Sequence, residues 1–305
     1  MRVLNIYEEF VRKLLLKKSN VSLVDYMIYF SKRKEELGRS NSRSKTIKST
    51  IKHIVNFSPE SIPLNKVDKE FCIGFIKYLK EYNKNNKHLS VSTQTMYFNI
   101  LNCAINRAIK EELITNNPIK KITIDEKFPT VHKQVTFLTA DEIKIMEKTD
   151  IKHCVKDAFL FCCYCGLRYS DVSKLTWNEI FDIDNKKYLC IICKKTGASL
   201  YVPLCNNALK YLPKRNPNTE YIFNLPSARC AQYAMKNWCK KSKLNKKITF
   251  HTSRHTFATL LYTNGADIYT ISKLLGHKSI SSTQIYASVI DKKKIEAVAL
   301  LDKEI

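Results

Sequence analysis

Apolar residues recur at helical spacing through most of the first 115 residues, and this regularity restricts the fold of the chain most strongly. Polar breaks at 38–43, 58–65 and 82–90 divide the pattern into four amphipathic helices. The apolar positions that define them are Val24, Met27, Ile28 and Phe30; Ile47, Ile51, Ile54 and Val55; Phe71, Ile73, Phe75, Ile76 and Leu79; and the stretch 96–109. The sequence therefore predicts a helical domain at 21–115, preceded by a short basic helix at 1–20.

The second part of the chain predicts a different arrangement. Residues 116–136 contain two prolines, many charges and no periodicity, which is typical of an inter-domain linker. A capping-box pattern at Thr139 then opens a helix, and the next helix, at 154–165, is apolar almost all round. Alternating residues at 188–193 and 200–204 predict two strands. The fold class is thus mainly α with a small β-hairpin, in two domains, the second an α+β domain at 137–305.

The charge of the chain restricts its partners. The formal net charge is +24; residues 1–115 carry 21 basic and 11 acidic side chains, and the rest carry 31 and 17. Because both parts are basic, a polyanion that contacts both parts explains the excess better than a local targeting tag. A generally basic protein with no such partner is the alternative.

The cysteines and the apolar runs restrict the compartment. Eleven cysteines is an odd number, and they lie largely in apolar runs, where a free thiol behaves as a small hydrophobe in a reducing compartment. Cys190-x-x-Cys193 resembles half of a zinc site, but no second close pair follows. No secretory signal or bilayer-spanning run is visible, so we expect a cytoplasmic, nucleoid-associated protein with no membrane partner.

Three polar clusters stand out in the stretch 251–286: His251 with Arg254, then His277 after a glycine, then Tyr286. Helical geometry places His251 and Arg254 one turn apart near a helix start, for which Thr252 is the expected N-cap. Free backbone N–H groups at such a start favour anions. Taken singly, each of these residues is more often structural than catalytic.

Two further candidates lie upstream. Gly166 ends the buried helix and Arg168 comes two residues later; a nearly buried arginine needs either a carboxylate or a bound anion as its counter-charge. Asp171 can orient it, so an ordinary ion pair at a helix junction is the alternative reading. Lys194 and Lys195 lie at the tip of the predicted hairpin, where a lysine is either solvated or close to a sugar-phosphate oxygen.

Taken in order, these residues resemble the tyrosine recombinase (phage integrase) family. The resemblance covers residues 137–290 through four local signatures: GLRYSD, KTGASLYVPL, HTSRHTFAT and LGH with a tyrosine nine residues later. It implies a C-shaped clamp on duplex DNA, with a core-binding domain at 21–115 and a catalytic domain at 137–305. We also expect a C-terminal docking helix at 293–301. The sequence before residue 21 leaves little room for an arm-binding domain.

The resemblance also implies a mechanism. Arg168, Arg254 and His277 would stabilise the phosphate oxygens, and Tyr286 would attack phosphorus to form a 3′-phosphotyrosine. His251 is the candidate base, and Lys195 is the candidate general acid because it precedes the Val of the VPL signature by seven residues. No metal or nucleotide cofactor is expected. The implied partners are double-stranded DNA, a homotetramer on paired recombination sites and accessory DNA-bending proteins, for integration, excision or inversion of DNA.

Three alternatives compete with this interpretation. His251 and His255 have zinc-ligand spacing, but Thr252 occupies the position of the glutamate that a metallohydrolase needs. A non-catalytic DNA-binding protein would not need every catalytic position filled. A type IB topoisomerase shares the chemistry, but the LGH signature and the helical first domain favour a recombinase.

Overall fold

The computed structural model describes residues 21–37, 41–60, 62–130, 135–151, 154–193, 197 and 199–287. The chain divides into two compact units, residues 1–132 and 133–305. Both units are mainly helical and each holds one small antiparallel sheet, which confirms the predicted fold class. The predicted helices at 1–20 and 293–301 lie outside the described residues.

In its described residues the first unit contains a bundle of four helices, and the four helices predicted within 21–115 are confirmed. Side chains of Ser22, Asp68 and Ser90 cap three of them by accepting hydrogen bonds from backbone N–H groups of the first turn. The helices are α1 (Leu23–Glu36), α2 (Asn41–Phe57), α3 (Lys69–Glu81) and α4 (Val91–Lys110), with a two-residue hairpin, β1 (Asn83–Lys84) and β2 (Lys87–His88), between α3 and α4.

The linker predicted at 116–136 begins too early, because its first residues belong to the first unit. Pro118–Lys121 form a short 3₁₀ turn, and Ile119 and Ile122 are buried in the core of the first unit. The buried amide of Asn117 donates hydrogen bonds of 2.8 Å to Asn102 and Asn106 of α4. These contacts hold the segment against the bundle although its sequence shows no periodicity.

The second unit surrounds one buried helix. Its elements are α5 (Ala140–Lys148), α6 (Val155–Cys165), α7 (Tyr169–Val172), β3 (Ile180–Ile183), β4 (Lys186–Ile192), β5 (Ser199–Pro203), α8 (Asn206–Leu209), α9 (Ala228–Lys241), α10 (Phe250–Thr263), α11 (Ile268–Leu274) and α12 (Ser281–Ala287). The predicted capping box of Thr139 and Glu142 opens α5.

Helix α6 is the central element of the second core, as its all-round apolar sequence predicts. Phe159 packs edge-to-face on Trp238 of α9 and on Phe250 of α10, with ring centroids 5.6 and 5.8 Å apart. Each such pair contributes about 0.5–1.5 kcal/mol beyond its buried area. The helix ends at Gly166, whose φ of 70° places it in the left-handed region.

The sheet of the second unit has the order β3-β4-β5 and is antiparallel throughout. In β4 and β5 buried residues alternate with exposed ones, and Leu189 pairs with Val202 on the inner face. Both predicted strands are confirmed, displaced by one or two residues. The edge strand β3 was not predicted. Its side chains are almost all exposed, so its sequence gives no alternating pattern.

Two further expectations concern the cysteines and the membrane. All eleven cysteines fall in the described part of the chain, and none of them is in a disulfide; five are buried and five are exposed. Across the same part of the chain, no helix combines the length and apolar character needed to cross a bilayer.

Candidate active site

The site is built around the first turn of α10. Thr249 is the N-cap, and its backbone N–H donates to the hydroxyl of Thr252 at 3.0 Å. The expectation that Thr252 is the N-cap is therefore wrong by one turn, because Phe250 is already helical and buried. The predicted placement of His251 and Arg254 on the first turn is confirmed.

Arg254 is buried in the protein, with only 1 % of its surface exposed. Its Nη1 donates to the carbonyl oxygen of Gly166 at 2.7 Å, and its Nη2 donates to the carbonyl oxygen of Leu275. Burial, followed by the nearby charge of Arg168, lowers the pKa of Arg254 to about 10. The side chain is thus fixed by neutral carbonyls, and no carboxylate is among its described hydrogen-bond partners, which suits an arginine that binds an anion.

Arg168 lies beside this group at the N-cap of α7. Its side chain is 14 % exposed, and its Nη1 is 3.9 Å from Oδ2 of Asp171, so the expected contact between the two is present. No hydrogen bond to Arg168 Nη1 is found within the described residues. Asp171 therefore lies close enough to orient Arg168, and the buried Nη1 keeps an unused hydrogen-bond donor among the described contacts.

The left-handed turn at Gly166 brings the two arginines together. A Cβ on this residue would lie 2.4 Å from the ring of Phe257 and 3.1 Å from Leu275, so only glycine fits. The same residue offers its carbonyl oxygen to Arg254. The turn thus joins the end of α6 to α10, two residues before Arg168.

His277 follows a second left-handed glycine, Gly276, at the end of α11. Its Nδ1 is 2.8 Å from the hydroxyl of Thr283, which is fully buried. Burial, and then the charges of Arg254 and Arg168, lower the pKa of His277 to about 4. Because Nδ1 bonds to Thr283, Nε2 is the ring nitrogen that can face an anion near the two guanidinium groups.

Tyr286 lies on α12, and only 2 % of its surface is exposed. Its hydroxyl is 2.9 Å from Nδ1 of His255, one turn after His251 on α10. Burial raises the pKa of Tyr286, while the charges of Arg254 and Arg168 lower it in part. The phenol oxygen is therefore in the electrostatic field of both arginines.

The β4–β5 hairpin reaches the same region. A Cβ on Gly276 would lie 3.4 Å from Leu200 of β5 and 3.6 Å from the sulfur of Cys193, which directly follows β4. The end of the hairpin next to its connecting loop is thus packed against the turn that carries His277. Lys194 and Lys195 lie outside the described residues, so the assignment of Lys195 as general acid stays a prediction.

Sequence reasoning did not identify two side chains of this site, Thr283 and His255. Thr283 is three residues before Tyr286, and a single threonine on a short helix has no sequence signal. His255 has a signal, since it is one turn from His251, but that spacing indicated only the zinc-site alternative. The imidazole rings of His251 and His255 pack edge-to-face with centroids 4.7 Å apart. In the described ranges no group of three or more possible metal ligands occurs, so these two histidines have no further ligand there.

We expect the second unit to lose stability in mildly acidic solution. The pKa of His255 and that of His277 both fall to about 4 from the ordinary 6.5, so the folded state favours the neutral rings. The stability that the folded state gains from keeping these two rings neutral is fully present above pH 6.5. It is lost as the pH falls from 6.5 toward 4. Urea unfolding should show the free energy of unfolding falling by roughly 3–5 kcal/mol across this range, since each ring contributes about 2–2.5 kcal/mol.

The matched control is the double variant His255→Asn/His277→Asn, because asparagine does not titrate. Its stability should fall less than that of the wild-type chain over the same range of pH. An equal fall in the two proteins would show that these two rings are not responsible.

The first unit carries a separate groove of about 730 Å³ between α2, α4 and residues 128–130. Its lining combines polar and charged side chains (Ser42, Arg43, Thr46, Ser92, Thr95 and Asn99) with apolar ones that include Val91, Met96, Ile100, Phe128 and Pro129. Met96 and Asn99 are exposed on one face of α4. A surface of this composition suits the polar edges of DNA bases.

Comparisons with known proteins agree with this geometry. Residues 136–293 match the sequence profile of the phage integrase family, and residues 22–124 match that of the phage integrase SAM-like domain. A tyrosine recombinase of Thermosipho africanus is 26 % identical over 276 residues, which cover 86 % of this chain and 94 % of that protein. The tyrosine recombinase XerC of Leptospira interrogans is 28 % identical over 252 residues, covering 77 % of each.

Solved structures give the same result for the fold. The Tn1549 transposon integrase in complex with a circular intermediate DNA has a TM-score of 0.70 at 17 % identity, covering 87 % of this chain and 94 % of that one. A lambda integrase dimer bound to a COC′ core site has a TM-score of 0.69 at 22 % identity, covering 87 % and 95 %. A lambda integrase tetramer bound to a Holliday junction has a TM-score of 0.65 at 21 % identity, covering 85 % and 78 %.

Proposed function

Because the chain belongs to the phage integrase family of tyrosine recombinases, enzymes that cleave and rejoin DNA, we propose that it is a site-specific DNA recombinase acting through a 3′-phosphotyrosine intermediate. The observation that carries this proposal is the position of one buried phenol, Tyr286, in the field of two buried or nearly buried arginines. No carboxylate lies within hydrogen-bonding reach of Arg254 among its described contacts, so a phosphodiester is a fitting counter-charge.

The arginines stabilise the transition state. Attack on phosphorus concentrates negative charge on the non-bridging oxygens, and planar guanidinium groups supply paired donors to such oxygens. Arg254 is preorganised by two carbonyls and Arg168 by Asp171, so neither side chain must reorganise when the charge develops. His277 donates a further hydrogen bond through Nε2, and His251 adds an imidazole at the same helix start.

The covalent step exchanges one ester for another. The Tyr286 oxygen forms a bond to phosphorus, the bond from phosphorus to the 5′ oxygen breaks, and the phenolic proton passes to an imidazole. Lys195 supplies the proton that the 5′ oxygen needs as it leaves. The product is a 3′-phosphotyrosine and a free 5′-hydroxyl, and attack by a second 5′-hydroxyl reverses the step on a new strand.

DNA binding involves both units. The net charge of +24 favours a polyanion along the whole chain, and the groove between α2 and α4 offers polar and thioether groups to base edges. The tetramer of lambda integrase on a Holliday junction supports an assembly of four subunits on two paired sites. Integration, excision and inversion of DNA all follow from the same cleavage chemistry.

Trapping of covalent DNA adducts tests this proposal. The purified full chain is incubated with a library of nicked genomic fragments, in which loss of a short strand after cleavage prevents religation. Protein-linked DNA is then captured under denaturing conditions and sequenced. We expect a small set of sites with inverted repeats; the absence of covalent adducts, or adducts spread evenly over all fragments, would contradict a site-specific recombinase.

A further inference from the structure

The hydroxyl of Tyr286 is bonded to an imidazole that the sequence analysis did not include in the site. Nδ1 of His255 lies 2.9 Å from the phenol oxygen, and the two ring centroids are 5.7 Å apart. A general base must be within about 2.6–3.2 Å of the proton it takes, and His255 meets this condition before any DNA is bound. His251, the base expected from the resemblance, lies one turn earlier and is exposed.

We propose that His255 is the general base that removes the phenolic proton of Tyr286. The O–H bond of the phenol breaks, its electron pair forms the bond to phosphorus, and the proton is held on Nδ1 of His255. The reverse reaction returns that proton to the phenol when the 5′-hydroxyl attacks. This inference rests on the proposed function, and it assigns a role to a residue next to Arg254 rather than to a new site.

The electrostatics of the site make this base dependent on DNA. Burial, and then the neighbouring His251 and Arg254, lower the pKa of His255 to about 4, so the ring is neutral at pH 7 and can accept a proton. A bound phosphodiester adds negative charge beside Arg254 and offsets the effect of the arginine on an imidazolium. The ring therefore holds the hydroxyl in the free protein and becomes a stronger base when the scissile phosphate arrives.

The contact also explains why the tyrosine can be buried. A phenol hydroxyl removed from water without a partner is costly, and His255 supplies that partner. A purely positioning role for His255 would use the same hydrogen bond, so the test must separate proton transfer from positioning.

The variant His255→Asn separates the two roles. The side-chain oxygen of asparagine reaches the position of Nδ1 and accepts a hydrogen bond, but it does not take a proton at neutral pH. We expect single-turnover adduct formation on a nicked substrate to fall by about 100-fold or more, with DNA binding unchanged. Thermal unfolding of the full chain checks that the variant is folded.

Two chemical rescues identify the missing step. Incorporation of difluorotyrosine at position 286 lowers the pKa of the phenol and should restore most of the lost rate in His255→Asn but little in His251→Asn. A substrate with sulfur in place of the 5′ oxygen needs no general acid; it should rescue Lys195→Ala and leave His255→Asn slow. The same assays apply if His255→Asn is unstable, using His255→Gln.

Three results would overturn the inference. They are a full rate in the folded His255→Asn chain, rescue of that chain by the sulfur substrate, and rescue by difluorotyrosine in His251→Asn instead. All three require a wild-type chain that forms adducts. A wild-type chain without adducts would contradict the proposed function itself, so the two failures are distinguishable.

Discussion

Replacement of Tyr286 by phenylalanine should abolish the covalent protein–DNA adduct and leave specific DNA binding within about threefold of wild type. The change removes one oxygen, which is the atom that must bond to phosphorus, and keeps the ring that packs with Phe257 and Leu275 in the small cluster between α10, α11 and α12. Adduct formation on a nicked substrate and gel-shift affinity at fixed salt measure the two quantities.

The loss of the hydrogen bond to His255 should cost only about 1 kcal/mol of stability, so the variant remains folded. Tyr269→Phe is the matched control, since that tyrosine is 59 % exposed and lies on the neighbouring helix α11. It should cleave at the wild-type rate. A covalent adduct with Tyr286→Phe would assign the nucleophile to another residue.

Substitution of Arg254 by lysine should reduce cleavage by about 100- to 1,000-fold with little change in DNA affinity. The guanidinium group bonds two carbonyl oxygens, those of Gly166 and Leu275, and we expect its remaining N–H groups to bind the phosphate. A lysine ammonium has the charge but not the planar fork, so it cannot keep both carbonyl bonds and also bind a phosphate in two places.

The quantity that decides the role of Arg254 is the loss of cleavage rate compared with the loss of DNA affinity. Arg215→Lys is the control, because Arg215 is exposed and its charge is conserved. If Arg254→Lys weakened binding and cleavage by the same factor, the arginine would be a positioning contact for the backbone and not a group that acts in the transition state.

Local signals in the sequence were sufficient for much of this fold. Gly166 ends a helix that is apolar all round, Thr139 and Glu142 form the predicted capping box, and Asp267 caps α11. Each of these depends on residues within four positions of one another, where backbone geometry and hydrogen bonding follow from residue type.

Features that depend on distant contacts were not predictable. The edge strand β3 pairs with β4 but buries almost no side chain, so its sequence has no alternation. Residues 117–122 resemble a linker and yet pack into the first core. The bond between His255 and Tyr286 joins residues 31 positions apart, and only the packing of α12 against α10 brings them together.

The position of the covalent bond to DNA tests the central claim most directly. The trapped adduct of the wild-type chain can be digested with protease and nuclease and analysed by tandem mass spectrometry. We predict one modified peptide, with a nucleotide joined through its 3′-phosphate to the phenol oxygen of Tyr286. A nucleotide on any other side chain, or a linkage through a 5′-phosphate, would contradict the proposed chemistry.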